Sequence, residues 1–214
     1  MNYLQRKKQA MISIHQGSIP SGYKQVEYLT SNGKQYILTD FIPKIGDSVV
    51  FYFRRKSNEQ YDAPIYSTSN EDSGRQLAIL LGAYTNDTPN ITYYKYFTNG
   101  NASRIGNTFV SSKMQKVEIL SDGTINIARE NCKEEVSKEK QETDAPLYVF
   151  ERSNHTYHFI GDISTVNFKR NNVDVLNLVP CLDYNNRPCM YDTVSKKTYY
   201  NSGTGEFLYG EVIN

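Results

Sequence analysis

"MYDTVSKKTYYNSGTGEFLYG", Met190 to Gly210, holds the densest glycines of the chain, in Asn201-Ser202-Gly203-Thr204-Gly205. Such a loop can cradle phosphate, wrap a ligand or turn a strand, and each option implies a different fold. A P-loop needs Gly-x-x-x-x-Gly-Lys-Ser/Thr opening a helix, and a dinucleotide fingerprint needs Gly-x-Gly-x-x-Gly between strand and helix. Here Gly205 leads into Glu206-Phe207-Leu208-Tyr209, a strand-like run, so no helix N-terminus is in place to receive an anion. The stretch therefore reads as a closing hairpin. Ser195-Lys196-Lys197 forms one turn, and Gly203-Thr204-Gly205 bends the chain before a last strand over 206–210. Glycine serves geometry there, because positions with φ > 0 or close backbone contact admit little else.

Working outward, the rest of the chain carries the same strand-and-turn character. "VEYLTSNGKQYIL" is two runs around Asn32-Gly33, a strong hairpin signal. "DSVVFYFRR" sets Val49, Phe51 and Phe53 on one face, and "RQLAILLGAY" is apolar on both faces, as a covered central strand is. "NITYYKYFTNG" puts Tyr94 and Tyr96 on one side and Tyr93 on the other. "MQKVEILSDGTINIARE" is a second hairpin about Asp122-Gly123, with Val117, Ile119, Ile125 and Ile127 inward. The mixed-charge run 130–144 reads as an exposed hairpin or loop. "APLYVFER", "TYHFIGD", "STVNFKR" and "VDVLNLVP" read as four further short strands. About a dozen strands at roughly 8–12-residue spacing is the cadence of a sandwich or jelly roll.

Composition agrees: 214 residues suit one substantial domain, with 18 Tyr, 9 Phe and no Trp. A hydrophobic share of 38% suffices when each strand buries one face. A net charge of +1 supplies no global field to draw nucleic acid or an anionic membrane, and no stretch is apolar enough to span a bilayer. Cys132, Cys181 and Cys189 form no framework and no Cys-x-x-Cys pair; Cys181 and Cys189 either pair across adjacent strands or stay as free buried thiols. Residues 1–16 are basic and acid-free and carry the one helix-compatible segment, read either as a frayed tail or as an attachment peptide that orders on a partner. A Gly/Ser/Pro linker over 17–22 joins it to a β domain over 23–214.

Catalytic patterns are missing. A retaining glycosidase needs two carboxylates about 5 Å apart; Glu71-Asp72 is turn-like, Glu118 and Asp122 are split by a strand end, and Glu134-Glu135 sits among lysines. His155 and His158, three apart, fall on opposite faces of an extended strand, and there is no Gly-x-Ser-x-Gly elbow. The chain is expected not to be an enzyme and to need no metal or other cofactor. Calcium is the one ion with donors on offer, from Asp183, Asn185 and Asn186 or from Asp87, and Asx-rich turns are the competing reading of those loops.

The two ends together resemble a family. In "IPSGYKQVEYLTSNGKQYILTDFIP", Pro20, Tyr23, Val26-Glu27-Tyr28, Gly33, Gln35-Tyr36-Ile37 and Thr39 are similar to the opening of a concanavalin A-like (laminin-G-like) jelly-roll module. Such modules occur in bacteriophage virion proteins and gut-bacterial surface proteins. Val179-Pro180-Cys181, Met190-Tyr191-Asp192, Val194, Tyr199, Asn201 and Gly203-Thr204-Gly205 are similar to its close. The resemblance implies an all-β, concanavalin A-like jelly-roll β-sandwich with a short N-terminal tail or helix, in a virion setting, and brings no catalytic or ligand-binding residue set. The expected protein is a tail or head fibre, receptor-binding or decoration component. It docks on other virion proteins through residues 1–16, binds host-surface polysaccharide or acts only as a cement or spacer, with a glycan-cleaving jelly-roll enzyme as the further alternative, and its setting suits a homo-oligomer. Sugars stack on aromatic faces and satisfy their hydroxyls with amides, which makes Tyr94, Tyr96, Asn99 and Asn101 the expected ligand-binding residues.

Overall fold

A computed structural model describes residues 18–56, 63–69, 76–81, 92–98, 103–105, 113–127, 130–132, 140, 142–151 and 158–213. The tail 1–16, Asp87, Asn99, Asn101 and His155 lie outside the described residues. In chain order the strands begin with β1 (Lys24–Gln25), β2 (Leu29–Asn32), β3 (Ile37–Leu38), β4 (Ser48–Arg55), β5 (Ala63–Ser69) and β6 (Gln76–Leu81). Next come β7 (Thr92–Thr98), β8 (Ser103–Ile105), β9 (Gln115–Ile119), β10 (Ile125–Ile127), β11 (Glu130–Cys132) and β12 (Tyr148–Val149). The last five are β13 (Ile160–Arg170), β14 (Val173–Leu182), β15 (Pro188–Asp192), β16 (Thr198–Tyr200) and β17 (Leu208–Tyr209). Among the described residues there is no helix, and the strands form two antiparallel sheets.

The eleven-stranded sheet runs β11-β10-β9-β4-β13-β14-β15-β16, with β2 also on β13, β17 on β2 and β1 on β14. The six-stranded sheet runs β3-β12-β5-β6-β7-β8. Both contribute to one core. Val49, Phe51 and Phe53 of β4 meet Val117, Ile119 and Ile125 from β9–β10 and Ile163, Val166 and Phe168 of β13; Ile37, Val149, Leu77, Tyr96 and Phe97 come from the other sheet. Each fully buried side chain of this size contributes about 1.5–3 kcal/mol. The expected inward faces of β4, β9 and the start of β10 are therefore observed. So is the Asp122-Gly123 turn, where Gly123 has φ +91 and Asp122 Oδ1 accepts from Thr124 N at 2.8 Å.

Two expectations fail. The Asn32-Gly33 segment is not a hairpin, because β2 pairs with β13 and β17 while β3 pairs with β12 in the other sheet. Side chains turn the corner: Ser31 Oγ donates to Gln35 O at 2.9 Å, and Gln35 Oε1 accepts from Asn32 N at 3.0 Å. The glycine still supplies the left-handed step, at φ +93. Also, the "IGD" that ends "TYHFIGD" and the whole of "STVNFKR" are not parts of separate strands but the single β13. Its register shift between Ile163 and Val166 absorbs the break in alternation. Buried Asp162 within it accepts from Thr30 Oγ1 at 2.5 Å and Arg54 Nε at 2.6 Å, and Lys56 Nζ lies 2.8 Å away. Those partners are what make a carboxylate tolerable in a covered strand.

A smaller apolar cluster lies apart from the core: Val179, Cys181, Cys189 and Tyr191, with Ile19, Tyr23 and Tyr200 packed on it. Cys181 and Cys189 are register partners on β14 and β15, and both are buried free thiols.

Candidate functional site

The opening and closing motifs clasp one another. Tyr36 N donates to Asn201 Oδ1 at 3.1 Å and Ser202 N to Tyr36 O at 2.9 Å. Thr204 N donates to Lys34 O at 2.9 Å, and Gln35 Nε2 to Thr204 O at 3.0 Å. Asn201 also accepts from Gly203 N and donates to Gly205 O, bracing the loop from inside. Gly203 sits so close to the facing backbone that a Cβ there would lie 2.1 Å from Lys34 O. Gly205 has φ +72. Both reasons for glycine expected of this loop are thus present, close approach at one position and a left-handed step at the other.

Between the clasped loops opens a pocket of about 400 Å³, lined by Gly33, Lys34, Tyr36, Glu151, His158, Ser202, Gly203 and Thr204. Its inner wall depends on a backbone irregularity. Phe150 adopts φ +73, unusual for a bulky residue, and both Val149 and Phe150 enter the core. Two consecutive inward side chains shift the strand's phase, and Glu151 lines the pocket instead of continuing the core. Ser67 Oγ donates to Glu151 O at 3.1 Å and Phe159 N to Phe150 O at 2.8 Å, so the segment is held at both ends. His158 bridges to Glu151 across the two strand ends, with Nδ1 3.4 Å from Glu151 Oε1. The Glu151 side chain is 1% exposed and that of His158 32%. The imidazole is the more accessible of the two, and the carboxylate lies beside it.

Tyr36 and Tyr148 stack nearby, their ring centroids 6.1 Å apart and their planes 25° from parallel. Burial, and then the negative charge of Glu151, push both phenols above their ordinary values. Both stay neutral hydroxyls at physiological pH, able to donate as well as accept. The pocket thus gathers an aromatic ring, an imidazole, an ammonium and two aliphatic hydroxyls around one buried carboxylate.

Of the residues expected to bind ligand, Tyr96 is the one whose side chain is described, and it does not line this pocket. Tyr96 is 2% exposed. Its hydroxyl accepts from Gly46 N at 3.1 Å and donates to Ser121 O at 3.0 Å, and its ring meets Phe97 edge-on at 4.9 Å. The cause is a second break of alternation. Phe97 has φ +51 and β6–β7 slip register between Gln76 and Ala78, so Tyr96 and Phe97 both turn into the core. Tyr96 is a core residue, not a sugar platform. Tyr94 pairs in register with Ile79 and Ser103, while Asn99 and Asn101 lie outside the described residues.

Of the expected calcium donors, Asp183 and Asn186 are committed to the fold. Asp183 Oδ1 accepts from Asn185 N at 2.8 Å and Arg187 N at 2.9 Å, Asp183 Oδ2 accepts from Tyr200 Oη at 3.0 Å, and Asn186 Oδ1 accepts from Lys24 Nζ at 2.8 Å. This is an Asx turn that caps a β-hairpin. Among the described residues no group of three or more His, Cys, Asp and Glu side chains could hold a metal ion. No helix among them is long and apolar enough to cross a membrane.

The spacing of His155 and His158 points to neither a metal site nor Glu151. The signal in the residues is the pair of dipeptides Phe150-Glu151 and His158-Phe159, whose acid and imidazole face each other across the antiparallel bridge between Glu151 and His158. The chain matches no protein-family model and no curated protein.

Proposed function

We propose that this chain is a non-enzymatic structural component of a bacteriophage particle, built on a concanavalin A-like jelly-roll β-sandwich that binds host-surface glycan. Two antiparallel sheets sharing one core are what a sandwich requires. The virion setting rests on the resemblance of the two end motifs, and those motifs join in one hydrogen-bonded clasp. The observation that carries the binding role is the pocket beside that clasp. Its volume of about 400 Å³ and its mix of tyrosine, imidazole and hydroxyls suit a saccharide. Among its described lining residues Glu151 alone bears a carboxylate, whereas glycoside cleavage calls for a pair. Binding without cleavage is the reading that chemistry favours.

A glycan array probed with the full chain tests the binding role. Retention of host-surface polysaccharide is expected, and a blank array overturns it. Mass spectrometry of gradient-purified particles tests the setting: the chain is expected at fixed copy number, and its absence overturns the virion reading. Docking is assigned to residues 1–16, so their deletion is expected to remove the chain from particles. Retention at the original copy number refutes that assignment.

A further inference from the structure

The groups lining the pocket differ sharply in how far a ligand can reach them. Glu151, the one acid among the described lining residues, is covered to 1% side-chain exposure, while His158 keeps 32%. Lys34, Ser202 and Thr204 are exposed, and Tyr36 is half-buried. The loop amides are already spent: Ser202 N on Tyr36 O, Thr204 N on Lys34 O, Gly203 N on Asn201 Oδ1. Any charge on a ligand must therefore be met by side chains, and the accessible ones among the described residues are an ammonium, an imidazole and three hydroxyls. Every one of them can donate a hydrogen bond, and none is an anion.

We infer that the pocket selects saccharides bearing an acidic group, a carboxylate or a phosphate, held by Lys34 and His158 while Tyr36, Ser202 and Thr204 take the ring hydroxyls. This rests on the reading of the pocket as the glycan site. Charge-assisted hydrogen bonds are roughly twice as strong as neutral ones, so the acidic substituent contributes most of the selectivity. Glu151 acts through His158 as a positioning residue: its Oε1 lies 3.4 Å from Nδ1, so its charge favours a proton on that nitrogen. No residue of the glycine loop brings an opposing charge.

The test uses the full chain and three probes, methyl galactopyranoside, galacturonic acid and galactose 6-phosphate, measured by saturation-transfer NMR and calorimetry. Galacturonic acid or galactose 6-phosphate is expected to bind about tenfold more tightly than the neutral glycoside, and the better of the two identifies the acid. Lys34→Gln is expected to abolish that preference at unchanged melting temperature, because the fold uses the Lys34 backbone and not its ammonium. His158→Gln is expected to weaken that preference as well, with a lowered melting temperature because buried Glu151 loses the imidazole beside it. If the neutral glycoside binds as well as both acids, the selectivity is overturned and the glycan reading stands. If none of the three binds, both are overturned. Imidazole 15N shifts test Glu151: His158 is expected to carry its proton on Nδ1, and Glu151→Gln to disturb that tautomer. A wild-type ring protonated only at Nε2 overturns the positioning role.

Discussion

The Gln35 side-chain amide donates to the Thr204 carbonyl at 3.0 Å, joining positions 169 residues apart in the chain. Gln35 is 2% exposed, and its Oε1 holds Asn32 N in the corner between the sheets. One side chain therefore fixes both the turn that carries the chain from one sheet to the other and the loop that closes the domain. The pocket exists because these two loops are held at that separation.

Gly203→Ala is expected to open the clasp. A Cβ 2.1 Å from Lys34 O is far inside contact distance, so the loop must retreat and release the Thr204 N–Lys34 O bond. A loss of about 2–3 kcal/mol, read as a fall of several degrees in Tm, is expected. Ser202→Ala, at an exposed position of the same loop, is expected to stay within about 0.5 kcal/mol. Equal melting of the two variants would remove the clasp from the account of stability.

Tyr96→Phe separates a core role from a binding one. The phenol is pushed up to about 12 by burial, which outweighs the hydrogen bond from Gly46 N. Losing the hydroxyl strips Gly46 N and Ser121 O of a partner. Chemical denaturation is expected to show about 1–3 kcal/mol of destabilisation, with glycan retention by the folded protein unchanged. Selective loss of glycan retention at full stability would reinstate Tyr96 as a ligand residue.

The two buried cysteines are expected to be inert. Burial, then the charge of Asp183, pushes the Cys189 thiol up to about 12, and burial with the neighbouring Cys189 pushes Cys181 up as well. The thiolate is the reactive form, so peptide-mapped iodoacetamide labelling at pH 8 is expected to leave both untouched in the folded protein and to modify both in urea. Fast labelling of either without denaturant would contradict their enclosure.

Acid stability is expected to depend on Asp183. Burial alone raises its carboxyl, but hydrogen bonds from Arg187 N, Tyr200 Oη and Asn185 N outweigh it and hold the group below its ordinary value. A folded-state pKa below the unfolded one gives stability that is complete above the unfolded pKa, about 3.9. It is lost as pH falls through the folded pKa. Tm is therefore expected to drop more steeply between about pH 4 and pH 2 in the wild type than in Asp183→Asn. Parallel curves would show that Asp183 does not carry this linkage.

Local chemistry made several features legible in the residues themselves. The inward faces of β4 and β9 follow from two-residue alternation, and Asp122-Gly123 is a turn in any context that needs φ > 0. Gly203 and Gly205 were readable as geometric residues for the same reason. Alternation fails where the backbone leaves its regular path. At Phe97 and Phe150 a bulky residue takes a left-handed conformation, which no propensity favours, and each shift changes what the neighbouring side chain does. It buries Tyr96 at one position and delivers Glu151 to the pocket at the other.

By itself the sequence determined an all-β chain, its main apolar faces and the turns that glycine and Asx residues enforce. These depend on interactions a few residues long. Only the tertiary structure decided that Asn32-Gly33 joins two sheets, that β13 is one long strand, and that Lys34, Tyr36, His158 and Ser202 surround one pocket. Strand partners and loop contacts depend on which distant segments bury each other's apolar faces and satisfy each other's backbone groups. That choice is made by the whole core at once, and no local stretch contains it.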